Sequence, residues 1–244
     1  MVTVPPAPET RLIAMLIDGD NAQPALLEQI LAETAKYGVL TTRRIYGDWT
    51  QPQMGGWKDA LHVHAIQPIQ QFRYTTGKNA TDSALIIDAM DLLHSGTLGG
   101  FCIVSSDSDF TRLATRIREQ GLFVMGVGRS TTPKAFINAC EVFVYTENLA
   151  PETKAAPTRA RGAEPPAWAQ TVARAIELSA HEDGWAFLGA VGSRLRQLDP
   201  AFDPRSFGHK QLSLLIKSRP DLFEARESKT RGGPSLVYVR PAAL

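Results

Sequence analysis

Only two cysteines occur among 244 residues, and they stand apart as Cys102 and Cys140. Each lies in or beside an apolar run. That placement makes neither a disulfide framework nor a metal-binding cysteine pattern, and it predicts two buried thiols in a reducing compartment. No apolar stretch approaches the roughly 20 residues that span a bilayer. The N-terminus carries three prolines and no basic segment, so no signal peptide is expected. The reading is a soluble, cytoplasmic protein with no membrane partner. Charge of one sign is also missing: Lys+Arg number 26 and Asp+Glu 25, a net of +1, which names no partner.

The charge distribution says more than its sum. Residues 1–150 carry 12 Lys+Arg against 15 Asp+Glu, whereas residues 165–244 carry 11 against 8. An acidic domain tied to a mildly basic one suits an enzyme with a helper that holds a polyanion. A hydrophobic content of 43% supports one α/β domain and a smaller second one. The segment from Ala150 through Pro165 is rich in Pro, Ala and charge without periodicity, as a linker is. The expected organisation is therefore a first domain over residues 1–149, a linker over 150–165 and a second domain over 166–244.

In the first domain short apolar runs alternate with helical patterns. Leu12 to Ile17 reads as a strand ending at Asp18-Gly19-Asp20-Asn21, and Pro24 to Tyr37 as an amphipathic helix closed by Gly38. Val39 to Tyr46 predicts a second strand, Trp57 to Leu61 a helical turn, and His62 to Ile66 a third strand. After a polar loop with Arg73, Tyr74 and Lys78, a helix opens at Asn79-Ala80-Thr81-Asp82 and runs to about His94. Then follow a strand at Phe101 to Val104, a helix from Phe110 to Gln120, a strand at Leu122 to Val127, a short helix near Pro133 to Asn138 and a last strand at Val142 to Tyr145. This alternation predicts a Rossmann-like α/β fold, mostly parallel and covered on both faces.

Such a sheet puts its chemistry at the carboxyl edge of its strands. The run Phe101-Cys102-Ile103-Val104 ends in Ser105-Ser106-Asp107-Ser108-Asp109, so two carboxylates within three residues meet at one strand end. Asp18, at the end of the first strand, would face Asp107 and Asp109 across a crevice. Asp82 would enter from the first turn of a helix, where the helix dipole favours a carboxylate. Carboxylates gathered this way repel one another unless a hard dication, Mg²⁺ or Mn²⁺, takes part of the charge. With such an ion the arrangement can hold a phosphate and promote attack by water on phosphorus. Asn21 either orients that water or caps the following helix.

The blocks Ile17-Asp18-Gly19-Asp20-Asn21, Lys78-Asn79-Ala80-Thr81-Asp82 and Val104-Ser105-Ser106-Asp107-Ser108-Asp109-Phe110 resemble, in that order and spacing, the NYN domain of the PIN-like nuclease superfamily. The resemblance implies a metal-dependent nuclease acting mainly on RNA, with Asp18, Asp82, Asp107 and Asp109 at the family's acidic ligand positions. Asp20 sits where the family tolerates other residues. Asp88 lies six residues past Asp82, about 120° round the helix, and is expected to be solvated or supporting rather than a ligand. Asp91 reads as surface.

Other groups invite function less strongly. His62 and His64, at i and i+2 on the predicted strand, would point the same way, but no Cys or third His lies nearby to complete a metal site. Arg43, Arg44, Lys58 and Arg73, interleaved with Trp49, Trp57 and Tyr74, suggest a rim that holds phosphates and stacks bases. Lys78, four residues before Asp82, is the cation expected to overhang the acids.

In the second domain Trp168 to Ala180 reads as a helix, Asp183-Gly184-Trp185 as the start of a second helix running to Leu198, and His209 to Ser218 as a third. Two strands, Asp221 to Ala225 and Ser235 to Val239, joined by a hairpin from Arg226 to Pro234, complete a winged helix-turn-helix. Together with Phe202-Asp203-Pro204-Arg205-Ser206-Phe207-Gly208 and the Pro220-Asp221-Leu222-Phe223 turn, this segment resembles the LOTUS, or OST-HTH, domain. That resemblance implies binding of RNA, single-stranded or structured, or docking of a protein partner. Arg205, His209, Lys210 and Lys217 on or before the third helix, with Arg226, Lys229 and Arg231 on the wing, form the expected phosphate-holding surface.

The expectation is thus an Mg²⁺- or Mn²⁺-dependent endoribonuclease tethered to an RNA-binding winged helix. Two alternatives stand beside it. One is a non-catalytic adaptor that binds RNA or protein. The other is a phosphatase of the haloacid-dehalogenase type with Asp18 as nucleophile and Asp107 and Asp109 as metal-binding acids, although that class expects a small hydroxyl residue soon after Asp20 and this chain has Asn21.

Overall fold

The computed structural model describes residues 11–72, 80–149, 166–228 and 236–242. The chain divides into two compact units, Met1–Ala150 and Pro151–Leu244. In the first unit the elements are β1 (Leu12–Asp18), α1 (Leu27–Thr34), β2 (Val39–Gly47), α2 (Lys58–Val63), β3 (Gln67–Gln70), α3 (Ala80–His94), β4 (Gly100–Val104), α4 (Thr111–Glu119), β5 (Phe123–Gly128), α5 (Lys134–Ala139) and β6 (Val142–Tyr145). The six strands form one parallel sheet in the order β3-β2-β1-β4-β5-β6. From β1 the chain builds outward through β2 and β3, then returns to β4 on the other side of β1. The junction of β1 and β4 is the switch point where such sheets bind ligands.

Burial explains why β1 and β4 take the centre. Ile13 through Ile17 and Phe101 through Val104 are at most 2% exposed, as near-continuous apolar runs in a doubly covered parallel sheet must be. Ile13, Met15 and Ile17 point into a cluster with Leu27 and Ile30 of α1 and with Met54 and Trp57. By strand alternation Ala14, Leu16 and Asp18 face the other side. On β2 Ile45 belongs to the same cluster as α1, while Arg44 and Tyr46 reach Asp88 of α3. Helix α3 therefore covers the face that carries Asp18. It lies down on a stripe of Thr81, Leu85, Ala89 and Leu93 at fourfold spacing.

The third strand lies later than the sequence predicts. His62 is in α2 and His64 caps it, and the strand begins only at Gln67. On a helix residues two apart point in divergent directions, so His62 and His64 do not form half a metal site. The misleading signal was the His-Val-His alternation, but Val63 is 72% exposed and packs into nothing. Edge strand β3 contains Pro68, whose missing N–H is tolerated at a sheet edge.

The second unit comprises α6 (Ala167–Glu177), β7 (Ala186–Phe187), α7 (Leu188–Leu198), α8 (Leu212–Lys217), β8 (Phe223–Ser228) and β9 (Leu236–Pro241), with an antiparallel sheet in the order β7-β9-β8. Val172, Ala175, Ile176, Val191, Leu195, Ile216, Phe223 and Val239 make its core. Two expectations are corrected here. Asp183-Gly184-Trp185 leads into the two-residue strand β7 before α7 starts at Leu188, because Gly184 adopts a left-handed φ of 76° that ends a turn rather than opening a helix. The third helix starts at Leu212, not His209, since Gly208 at φ 79° closes a 3-10 turn and Gln211 is extended. Among the described residues no helix is long and apolar enough to cross a membrane.

Candidate metal centre

Two strand-end loops and one helix bring acids to the switch point. Strand β1 ends at Asp18, and the chain turns at once, with Asn21 N and Ala22 N donating to the Asp18 carbonyl at 3.2 and 2.9 Å. Gly19 permits that turn. A Cβ there would lie 2.7 Å from the Tyr46 carbonyl and 2.7 Å from Met54 Cε, closer than real Cβ contacts come. Strand β4 ends at Val104, and the N–H of the next residue, Ser105, donates to the Val127 carbonyl at 2.9 Å. Asp107 then caps the 3-10 turn that leads into α4 by accepting from Asp109 N at 2.9 Å. Phe110, fully buried and packed near Phe136 with ring centroids 6.5 Å apart, anchors that turn.

The result is a cluster in which carboxylate oxygens of Asp82, Asp107 and Asp109 all lie within 4.8 Å of one another. Asp82 and Asp107 are half-buried and Asp109 is exposed, so the cluster opens to solvent on one side. Burial, followed by the charges of Asp18, Asp107 and Asp109, pushes the Asp82 carboxyl up to about 6. Burial and the neighbouring like charges both disfavour the ionised form of Asp82. Three carboxylate donors at this spacing, one side open and all oxygen, fit a hard dication such as Mg²⁺ or Mn²⁺.

Asp18 is a fourth carboxylate next to these, 1% exposed, and its charge acts on Asp82. Its Oδ2 accepts from Ser105 Oγ at 2.8 Å and Asn21 Nδ2 at 2.6 Å, and its Oδ1 from Asp20 N at 3.1 Å. Burial raises its proton affinity, while the Ser105, Asn21 and Asp20 hydrogen bonds pull it back down. Ser105 Oγ also accepts from Asp107 N at 3.1 Å, so a single buried hydroxyl joins Asp18 to the loop that carries Asp107. Its place at the end of β4 was visible in the sequence. The bond to a residue 87 positions away was not.

The remaining predicted residues divide by location. Arg73, Tyr74, Lys78, Lys229 and Arg231 lie outside the described residues. Arg44 pairs with Asp88, Arg43 donates to the His64 carbonyl at 3.0 Å, and Trp57 is 2% exposed in the core, so Arg44 and Trp57 do not form the stacking rim. Trp49 donates through Nε1 to the Ile69 carbonyl at 3.0 Å. Arg129, at the end of β5, was not singled out from sequence. It lines a cleft with Asn21, Ser105, Ser106 and Thr146, and its backbone N–H donates to Ser106 Oγ at 2.8 Å.

In the second unit Arg205 forks onto Asp203 at 2.6 to 3.0 Å, and Lys217 pairs with Glu227 at 2.7 Å. His209 and Lys210 follow the Gly208 turn. The outer face of the sheet carries Trp185 with two guanidinium groups near its ring, Arg226 at 4.2 Å and Arg240 at 4.7 Å from the indole centroid. Phe187 and Tyr238 lie beside them with centroids 6.0 Å apart.

The family model of the NYN domain matches residues 12–147. The chain belongs to the NYN domain family. Membership suggests nuclease activity, and NYN and PIN-like nucleases generally use divalent metals. An OST-HTH/LOTUS domain model matches residues 165–234, the second of the two domain types that suggest RNA binding. No curated protein matches the chain. Among solved structures, the NYN chain is similar to a Vibrio parahaemolyticus protein of unknown function at 17% identity, over 57% of this chain and 94% of that one, with a TM-score of 0.49. It is also similar to an uncharacterized Nitrosomonas europaea protein at 35% identity, over 39% and 89%, with a TM-score of 0.30. A Chromobacterium violaceum protein fragment matches at 34% identity, over 35% and 87%, with a TM-score of 0.26.

Proposed function

We propose that this NYN protein is an endoribonuclease that depends on Mg²⁺ or Mn²⁺, and that its LOTUS domain holds RNA. The observation that carries the reading is the convergence of Asp82, Asp107 and Asp109 within 4.8 Å at the β1/β4 switch point, beside a buried Asp18. Asp82, Asp107 and Asp109 are the residues that would hold the ion. Asp18 supports them from behind, and Ser105 and Asn21 fix its orientation. When bound, such an ion supplies charge neutralisation and Lewis acidity at the phosphodiester.

The chain's own groups account for the rest. The open side of the cluster admits a phosphate and a water. Asn21 donates one side-chain N–H to Asp18 and has a second donor with which to orient a phosphate oxygen or that water. Arg129, which lines the same cleft as Asn21, would supply a guanidinium for an adjacent phosphate. In the LOTUS domain His209, Lys210, Lys217 and Arg205, with the wing residues Lys229 and Arg231, provide the phosphate contacts. The pairs with Asp203 and Glu227 would have to open for Arg205 and Lys217 to take part. The linker over residues 150–165 raises the effective RNA concentration at the nuclease.

The phosphatase alternative needs Asp18 to attack phosphorus in line. Asp18 is 1% exposed and accepts three hydrogen bonds, which leaves it no path to a phosphate. The test is cleavage of end-labelled linear RNA and of a circular RNA by the full chain with Mg²⁺ or Mn²⁺, with chelator, and by Asp107→Asn. Opening of the circle that stops with chelator and in the variant is the expected result. RNA that is retarded in a gel but stays intact would instead establish the adaptor.

A further inference from the structure

Asp88 is one of two acids of α3, with Asp91, that the candidate centre does not use, and its surroundings are specific. Arg44 donates to one of its carboxylate oxygens as an ion pair, and the Tyr46 hydroxyl donates to the other. Tyr46 is fully buried. It pairs with Asp18 in the β1–β2 register, and its carbonyl accepts from Gly19 N at 2.9 Å. One residue of β2 thus touches both the turn after Asp18 and the middle of α3.

The helix geometry makes this contact matter for Asp82. Asp82 and Asp88 stand three residues before and three after Leu85, which is fully buried against the sheet. They therefore flank the buried stripe at about 60° on opposite sides. Asp88 reaches toward β2, and Asp82 reaches the other way, past β1 toward the loop after β4. A helix seated on its apolar stripe alone can still roll about its axis. Because a carboxylate lies roughly 6 Å from that axis, a roll of about 20° displaces it by about 2 Å. Ligand distances tolerate only about 0.2 Å. Repulsion from Asp107 and Asp109 pushes Asp82 in the direction that such a roll would allow.

We propose that Asp88, gripped by Arg44 and Tyr46, is a positioning residue that fixes the roll of α3 and so holds Asp82 in place for a dication. The inference rests on the reading of Asp82, Asp107 and Asp109 as a dication site. Arg44 has a second role in the clamp: its Nε is buried without a partner, so removing the Asp88 charge leaves a guanidinium poorly satisfied and costs stability. Tyr46→Phe deletes one hydroxyl while keeping the ring that fills the core, and it is the cleaner probe.

Mn²⁺ binding to the full chain, measured by isothermal titration calorimetry, tests the clamp, with thermal melts in chelator recorded alongside. Tyr46→Phe is expected to weaken Mn²⁺ about tenfold, and Asp88→Asn by up to about a hundredfold, the range found when groups that orient metal ligands are removed. Asp82→Asn serves as the control that removes a ligand. Should Tyr46→Phe lower the melting temperature but bind Mn²⁺ as the unsubstituted protein does, the hydroxyl is merely structural and the clamp is refuted. Absence of any Mn²⁺ binding to the unsubstituted protein overturns the metal reading itself, and the clamp with it. Should Asp88→Asn fail to fold, Tyr46→Phe alone decides.

Discussion

Replacing Asp82 by Asn removes one charge from the acidic cluster at nearly constant shape, and the structure says what this does to the metal-free protein. In the folded chain burial and the neighbouring acids push the Asp82 carboxyl from 3.8 up to about 6. The folded state therefore keeps a proton that the unfolded state has lost, and the stability from this group declines as pH rises from about 4 to about 6, then stays low. A displacement of about two pH units corresponds to roughly 3 kcal/mol. The cluster is half open to water, and screening reduces this to about 1–2 kcal/mol, or about 3–6 °C in a domain of this size. Asp82→Asn is expected to melt higher than the unsubstituted protein by that amount at pH 7.5 in chelator, and with no difference at pH 4. Added Mn²⁺ should reverse the order by stabilising the unsubstituted protein while leaving the variant nearly unmoved. Scanning fluorimetry over pH, with and without Mn²⁺, reads all three. A variant less stable at pH 7.5 in chelator, or equally stabilised by Mn²⁺, would refute the reasoning.

Further predictions follow from single contacts. Ser105→Ala removes the buried hydroxyl between Asp18 and Asp107 and should cost about 1–3 kcal/mol in chemical denaturation while lowering RNA cleavage; unchanged activity would show that the link is idle. Gly19→Ala places a Cβ 2.7 Å from the Tyr46 carbonyl, so the turn after Asp18 must shift, and cleavage should fall more than global stability does. The thiols of Cys102, pushed up to about 12 by burial, and of Cys140, also raised by burial, should react with a thiol reagent only after denaturant is added; prompt reaction of either in the native protein would contradict the packing around it. Trp185→Ala removes the indole that Arg226 and Arg240 contact and should weaken retention of single-stranded RNA by about 1–3 kcal/mol, the range for loss of a stacking aromatic, as read by fluorescence anisotropy; unchanged retention would show that bases do not stack there.

Much of this was legible in the sequence, for physical reasons that differ by element. Strands β1 and β4 are buried on both faces, so their apolar runs are uninterrupted and the acids that end them stand out. Strand β6 matches the expected Val142 to Tyr145 because the apolar run and the strand coincide. Helix α2 and strand β3 were not legible, since a Pro-bearing edge strand carries little apolar signal and His62 to Ile66 mimics alternation. A two-residue strand such as β7 is too short to show any period. For the site, the sequence brings Asp82, Asp107 and Asp109 to one edge through topology alone. The burial of Asp18 and the grip on Asp88 depend on Ser105 and on Arg44 and Tyr46, contacts made across tens of residues. A partial signal existed: Arg44 and Tyr46, two apart on a predicted strand, had to share a face, and that face belongs to α3.

The central claim is that Asp82, Asp107 and Asp109 together hold one dication. Crystals of the full chain grown with Mn²⁺, with diffraction collected at the manganese edge, test it directly. The account predicts an anomalous peak at about 2.0–2.3 Å from carboxylate oxygens of those three residues. A well-occupied peak elsewhere on the NYN domain, with none at the three aspartates, would contradict it.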